Sequence, residues 1–174
     1  MREERKTMTM SEVEQVLLSE MLYWYRLQRH DFLNHWQVIM GNLQLNRPSE
    51  ALTYMQQSVP ISPEEQKIAQ ITEPSVGAIL LGFIIRLEQA KVDTTIDFPS
   101  EMKEKDFWKD HWREEYAGGL YGYTTECMAN VIQSSGVKGL TAEIYLFDEP
   151  RGLTCQFMLS DEETILCDKV ITLG

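Results

Sequence analysis

Residues 18–45 read LSEMLYWYRLQRHDFLNHWQVIMGNLQL. Within them Leu18, Leu22, Tyr25, Arg29, Phe32, Trp36, Ile39 and Leu43 recur at spacings of 4, 3, 4, 3, 4, 3 and 4. That is the seam of a helix that packs lengthwise against another helix, interrupted by one polar residue, Arg29. From Ser11 to Leu45 there is no proline and a single glycine, Gly41, so one long helix is predicted. A stripe this narrow cannot cover its own apolar side chains on an isolated helix. It requires partner helices.

The seam stops at Asn46-Arg47-Pro48, a turn whose proline is placed to open the next helix. There Leu52, Met55 and Val59 share a face, and Pro60 and Pro63 interrupt it. Ser62-Pro63-Glu64-Glu65 has the form of an N-cap, a proline at the first helical position and a capping glutamate, so a short helix restarts towards Ile71. Two antiparallel helices supply two walls of a core. A second copy of the chain is the simplest completion, giving a dimeric four-helix bundle.

Beyond Glu73-Pro74 the pattern changes. VGAILLGFII, Val76 to Ile85, lies in an apolar helix predicted to run to about Lys91, and the alternation over 92–98 predicts a strand. Residues 99–115 are charged and read as loop and short helix. Thr124 or Thr125 is placed to cap a helix through Ser134, closed by Gly136. Thr141–Phe147 and Leu153–Leu159 form a predicted hairpin around Asp148–Gly152, with a last strand over 164–173. Gly118-Gly119-Leu120-Tyr121-Gly122 precedes the predicted helix and reads either as an anion-holding helix start or as a flexible loop. Helices with a short sheet make the chain α+β, divided into a helical hairpin, 1–72, and an α+β region, 73–174.

The chain has 174 residues, 43% of them apolar and 25% charged, ordinary values for a globular protein. Sixteen Lys and Arg against 27 Asp and Glu give a net charge of −11, which disfavours binding nucleic acid through its phosphates. The imbalance is uneven: residues 1–60 hold six basic and seven acidic groups, and 61–174 hold ten and twenty. Met1 to Lys6 is charged in both signs and leads into no signal-type core. The longest apolar run has ten residues, about half of what a bilayer-crossing helix needs. No membrane contact is expected. Cys127, Cys155 and Cys167 lack metal-type spacing and suit reduced thiols in a cytoplasmic protein.

The chemistry-bearing stretch is Arg29-His30-Asp31-Phe32-Leu33-Asn34. With Leu22 at heptad position a, His30 falls at b, outside the seam and towards water. An imidazole there, with one nitrogen free, is a competent nucleophile towards phosphorus. Between Glu20 and Asp31 the only charged side chains are Arg26 and Arg29, so an incoming anion meets a locally positive approach. The alternative is a plain surface histidine on a solvated face. His30 and His35 are five apart, about 140° around a helix, and do not form a metal pair. His35 reads as an edge residue, His111 as solvated, and Trp24, at position c, as an exposed-looking aromatic that either packs against the second domain or marks a binding patch.

RHDFLNHWQVIMGNLQL, Arg29 to Leu45, resembles the phospho-acceptor helix of the sporulation initiation phosphotransferase B family and of the sensor kinases sharing its helical domain. The family pattern R-H-D-x-x-N-x-x-Q places the phosphorylated histidine on His30, with Asp31 and Asn34 as flanking polar residues. Glu126-Cys127-Met128-Ala129-Asn130 resembles the kinases' Asn-bearing helix, with Asn130 at the Mg²⁺-binding position. No D-x-G-x-G follows anywhere in the chain. The resemblance therefore implies a degenerate histidine-kinase ATPase-like α/β sandwich after the bundle, with no cofactor of its own.

It further implies a homodimeric phosphorelay phosphotransferase, at initiation of sporulation, that moves a phosphoryl group between the aspartates of two response regulators. Mg²⁺ would come with the regulator's acidic pocket. Arg26, Arg29, Asn34 and Gln37 are candidates for positioning the phosphoryl group or touching the regulator. Leu33 and Met40 are candidates for apolar docking, with packing inside the bundle as the alternative for both. A divergent ATP-dependent kinase and a non-enzymatic dimeric adaptor are the rival readings.

Overall fold

The computed structural model describes residues 8–58 and 62–174. Met1 to Lys6, Val59 and Pro60, which entered the sequence reading, lie outside the described residues. Six helices, a short 3-10 turn and four strands follow in order: α1 (Met10–Gln44), α2 (Pro48–Ser58), α3 (Pro63–Ile68), α4 (Pro74–Gln89), β1 (Asp93–Asp97), the turn Ser100–Lys103, α5 (Lys105–His111), α6 (Tyr116–Gln133), β2 (Thr141–Glu149), β3 (Gly152–Ser160) and β4 (Ile165–Leu173). No helix among the described residues is long and apolar enough to cross a membrane. The chain is α+β, a helical region followed by helices on a mixed sheet.

Two compact units emerge. One is Leu18–Ser62, the helical hairpin; the other joins Pro63–Gly174 to the described residues up to Leu17. The first turns of α1 therefore belong with the α+β unit: Val13 and Leu17 are buried in its core. The helix starts one residue earlier than Ser11, behind a capping box in which the Thr9 N–H donates to Glu12 Oε2 (2.8 Å) and the Glu12 N–H to Thr9 Oγ1 (3.4 Å).

In the α+β unit the strand order is β1-β2-β3-β4, with β1 parallel to β2 and the other pairs antiparallel. The parallel step is made across α5 and α6, as a crossover must be. Pro150-Arg151 closes the β2–β3 hairpin, since Glu149 pairs with Gly152. Alternation places Ala142, Ile144 and Leu146 of β2 and Cys155, Phe157 and Leu159 of β3 inward, all buried. They join Val76, Ile79, Leu80, Phe83, Ile84 and Leu87 of α4 in one core, where Phe83 and Phe157 sit with ring centroids 5.4 Å apart. α4 opens on Pro74, with the Glu73 carboxylate accepting from the Ser75 N–H. It closes with Lys91 in the left-handed region (φ 59°) and the Val92 N–H donating back to the Leu87 carbonyl.

Several expectations are corrected. α6 begins at Tyr116, not near Thr124, so Gly118 and Gly119 lie in its first turn and Gly122 within it, and they form no loop. Close packing explains two of these glycines. A Cβ on Gly118 would stand 2.1 Å from the Met8 carbonyl oxygen, and one on Gly119 would stand 3.0 Å from the Leu173 side chain. Thr124 and Thr125 do not cap; both hydroxyls donate to the Tyr121 carbonyl one turn back. Trp24 looks exposed from its heptad position but is buried, so it packs and does not mark a surface patch. His111 is half-buried, stacked on Phe107 (3.9 Å) with Nδ1 2.6 Å from the Phe107 carbonyl.

The three cysteines are free thiols. Burial pushes the Cys127 thiol up to about 12 and raises Cys155 as well; Cys167, less buried, is also raised. A raised pKa leaves the unreactive thiol form in place at ordinary pH. At pH 8 a thiol-specific colorimetric reagent should therefore modify at most Cys167 in the folded protein and all three in denaturant. Rapid reaction of two or more thiols in the native state would contradict this packing.

The glycines give a second expectation. At Gly122 an added Cβ meets nothing within 4 Å, whereas at Gly152 it would stand 1.7 Å from the Leu173 carbonyl oxygen. Gly122→Ala should stabilise the protein by about 0.5–1 kcal/mol through the helix interior, and Gly152→Ala should cost about 1–3 kcal/mol or more through overpacking. Urea denaturation of the two variants beside the wild type reads both signs.

Candidate functional site

The hairpin unit positions the site. α1 ends in a left-handed turn at Asn46 (φ 57°). The Arg47 N–H donates to the Asn42 carbonyl at 2.9 Å and the Asn46 N–H to the Leu43 carbonyl at 3.0 Å, which satisfies carbonyls the helix leaves open. Asparagine tolerates this backbone better than any residue but glycine. Pro48 then opens α2, whose Tyr54 hydroxyl lies 2.9 Å from His35 Nδ1 with the rings tilted at 5.8 Å. His35 is thus a half-buried tie between α1 and α2. Apolar periodicity could not reveal it, because neither partner belongs to the seam.

One turn before His35, His30 stands on an open face with its side chain 72% exposed. Asp31 Oδ1 lies 3.3 Å from His30 Nδ1 and Asn34 Nδ2 lies 3.2 Å from the same atom. Helix geometry brings this about, since Asn34 is one turn on and Asp31 is the next residue. Both neighbours address Nδ1, so Nε2 is the nitrogen turned to solvent chemistry. In the tautomer with the proton on Nδ1, that N–H donates to Asp31 and the Nε2 lone pair is available. In the other tautomer Nδ1 accepts from the Asn34 amide and Nε2 is protonated. Asp31 therefore favours the nucleophilic form, and Asn34 the resting one.

The remaining sequence candidates lie along the same helix. Arg26, Leu33 and Gln37 fall within about 60° of His30 around α1 and Met40 within about 80°, while Arg29 sits about 100° away towards the seam. All five side chains are exposed. Leu33 and Met40 are exposed apolar residues, available to a docking protein or to a partner helix. The seam itself is uncovered in the single chain: Leu18 is 68% exposed and Phe32 64%, with Leu22, Tyr25, Trp36 and Leu43 also exposed. Leu52 and Met55 of α2 are exposed as well. A groove of about 320 Å³ runs between the end of α1 and α2, lined by Asn42, Ser49, Glu50, Thr53, Tyr54 and Gln57.

In the α+β unit, Asn130 lies on α6. Its Nδ2 donates to the Glu126 carbonyl of its own helix at 2.7 Å. Asp148–Gly152 is a tight strand-to-strand turn, and the glycines of α6 face packed neighbours at Gly118 and Gly119. These residues do not form the glycine-rich cradle that nucleotide phosphates require.

Residues 8–71 match the family model described as the Sensor_kinase_SpoOB-type, alpha-helical domain. Among curated proteins, the sensor protein CitS of Halalkalibacterium halodurans is 34% identical over 79 residues, which is 44% of this chain and 15% of that protein. The chain thus spans a small part of the length of the relative it matches. With α1, the turn at Asn46 and α2 all inside the matched span, the segment 8–71 is similar to the SpoOB-type alpha-helical domain of sensor kinases.

Proposed function

We propose that this chain is a homodimeric phosphotransferase of a phosphorelay. The observation that carries the reading is His30 itself: Nδ1 flanked by Asp31 and Asn34, Nε2 open on an exposed helix face, inside a domain of the SpoOB type. The Nε2 lone pair attacks the phosphorus of an aspartyl phosphate on one response regulator. The N–P bond forms as the P–O bond to the aspartate breaks, and that carboxylate leaves. The Nδ1 proton stays in place, and Asp31 offsets the positive charge that the phosphorylated ring acquires. In the return step, the aspartate of a second regulator attacks the same phosphorus and the N–P bond breaks.

Little covalent rearrangement falls to the protein in such a transfer, so positioning and charge dominate. Arg26 and Gln37, on the His30 face, are placed to meet the phosphoryl oxygens, and Arg29 adds positive charge beside the seam. A divalent ion, Mg²⁺, belongs to the regulator's acidic pocket in this scheme and neutralises the phosphoryl oxygens there. The lack of a D-x-G-x-G segment after the Asn130 helix favours a protein donor over ATP. The sporulation setting and a cytoplasmic location rest on the family resemblance alone. The similarity to a sensor protein keeps an ATP-dependent kinase as the second reading.

A label-transfer assay separates these readings. Mixed with a radiolabelled, phosphorylated single-domain response regulator and no ATP, the wild type should take up acid-labile label, and His30→Gln, a change at an exposed position, should take up none. Label acquired from ATP and Mg²⁺ without a regulator would make the chain a kinase. Absence of label in both arms, with a folded dimer, would leave an adaptor.

The bundle has its own test. Sedimentation equilibrium should report a dimer for the wild type and a monomer for Phe32→Glu/Trp36→Glu, with the α+β unit still folded by circular dichroism. A wild type that sediments as a monomer would remove the four-helix bundle.

A further inference from the structure

The sheet has one face in the core and one outside it, and strand register fixes what the outer face carries. Ile96, Ile144 and Phe157 are opposite one another and buried, and Lys169, their neighbour on β4, turns the same way to meet Glu126 of α6 at 3.7 Å. The positions on either side of this row point outward. Asp97, Tyr145, Gln156 and Val170 make one outer row, and Glu143, Met158 and Asp168 the central part of another. Phe147, 43% exposed, follows Tyr145 on β2, and their rings stack with centroids 6.3 Å apart.

This face carries one sign of charge. The charged residues at outward strand positions are Asp93, Asp97, Glu143, Glu149 and Asp168, while the one cation in the four strands, Lys169, is on the other face. The acids are met by neutral donors: the Tyr145 hydroxyl donates to Glu143 at 2.8 Å, the Phe98 N–H to Asp97 at 3.1 Å, the Gln156 amide to Asp168 at 2.9 Å and the Thr154 hydroxyl to Glu149 at 2.9 Å. No ion pair among the described residues compensates them. That bond to Glu143, with the charges of Glu143 and Asp97, holds the Tyr145 hydroxyl above its ordinary pKa. A carboxylate has about four acceptor positions, so each keeps capacity for a further donor.

Two stacked aromatic rings between two carboxylates suit a guanidinium group. It is planar, stacks on ring faces and donates in a fork to carboxylates, whereas an ammonium group offers only its charge. A second copy presenting the same face would bring acid against acid, and nucleic acid would be repelled. A face of this width and strand length covers roughly 400–500 Å², the scale of one side of a transient protein contact. We propose that the outer face of the sheet docks a partner protein through an arginine, its guanidinium stacked on Tyr145 and Phe147 and bonded by Asp97 and Glu143. The inference does not involve His30 and stands or falls separately from the phosphotransfer reading.

The test titrates the full ¹⁵N-labelled chain with the acetylated, amidated peptide Ala-Arg-Leu-Arg-Ala. Saturable amide shifts centred on residues 95–97 and 143–147 are expected. Lysine in place of arginine should weaken binding at least threefold, and citrulline, which keeps the planar shape and loses the charge, at least tenfold. Asp97→Asn/Glu143→Gln and, separately, Phe147→Ser should each weaken it at least fivefold while the rest of the spectrum stays native. Absence of shifts, shifts centred on other acidic segments such as 161–163, equal binding of the arginine and lysine peptides, or binding unchanged in both variants would overturn the proposal. So would shifts on this face that grow with protein concentration in the absence of peptide, because a second copy of the chain would then cover it.

Discussion

The apolar seam of α1 is the constraint on which the hairpin depends. Six large side chains, Leu18, Leu22, Tyr25, Phe32, Trp36 and Leu43, are exposed in one chain, and burying each is worth about 1.5–3 kcal/mol. α2 does not meet this demand, because its own Leu52 and Met55 are exposed too. A second hairpin would cover both sets at once. Arg29 at position a acts within that arrangement as a polar interruption, and a polar residue at such a position selects register at some cost in stability. In the proposed dimer the residue beside His30 would thus also fix how two helices align.

Placing His30 just outside the seam resolves a conflict between packing and reactivity. A histidine at a or d would be buried on dimerisation, and its ring nitrogens would be unavailable. At b it keeps water access, while the rigidity of a 35-residue helix holds its two polar neighbours in register. Nothing beyond helix geometry is needed to orient the ring: Asp31 and Asn34 both reach Nδ1. His35, which shares the segment, is diverted to Tyr54 and spends its Nδ1 on joining the two helices. Two histidines five residues apart thus differ in role because one faces solvent and the other faces α2.

The parts of the fold that local pattern controls were legible. The 4-3 spacing specified α1, Asn46-Arg47-Pro48 its end, and alternating apolar residues the β2–β3 hairpin; His30, Asp31 and Asn34 follow from one motif on one helix. What escaped depends on distant neighbours. Gly118 and Gly119 break helix propensity locally, yet α6 runs through them because Met8 and Leu173 approach too closely for larger residues. Trp24 occupies a polar-looking heptad position and is buried all the same. The ties from Glu64 and Lys67 to Ile96 span about thirty residues and carry no sequence periodicity.

The same glycines bear on what the second unit has become. A nucleotide site of the kinase type uses glycine for mobility and close backbone approach to phosphates in a loop. Here glycine serves close approach between elements of the protein itself, inside a helix whose Tyr123 hydroxyl is fixed to the Lys169 carbonyl at 2.7 Å. Arg86 on α4 adds a further tie, donating to the buried Thr124 hydroxyl at 3.2 Å with its guanidinium 5.8 Å from the Tyr121 ring. A helix anchored to both α4 and β4 cannot open over a ligand without breaking these bonds.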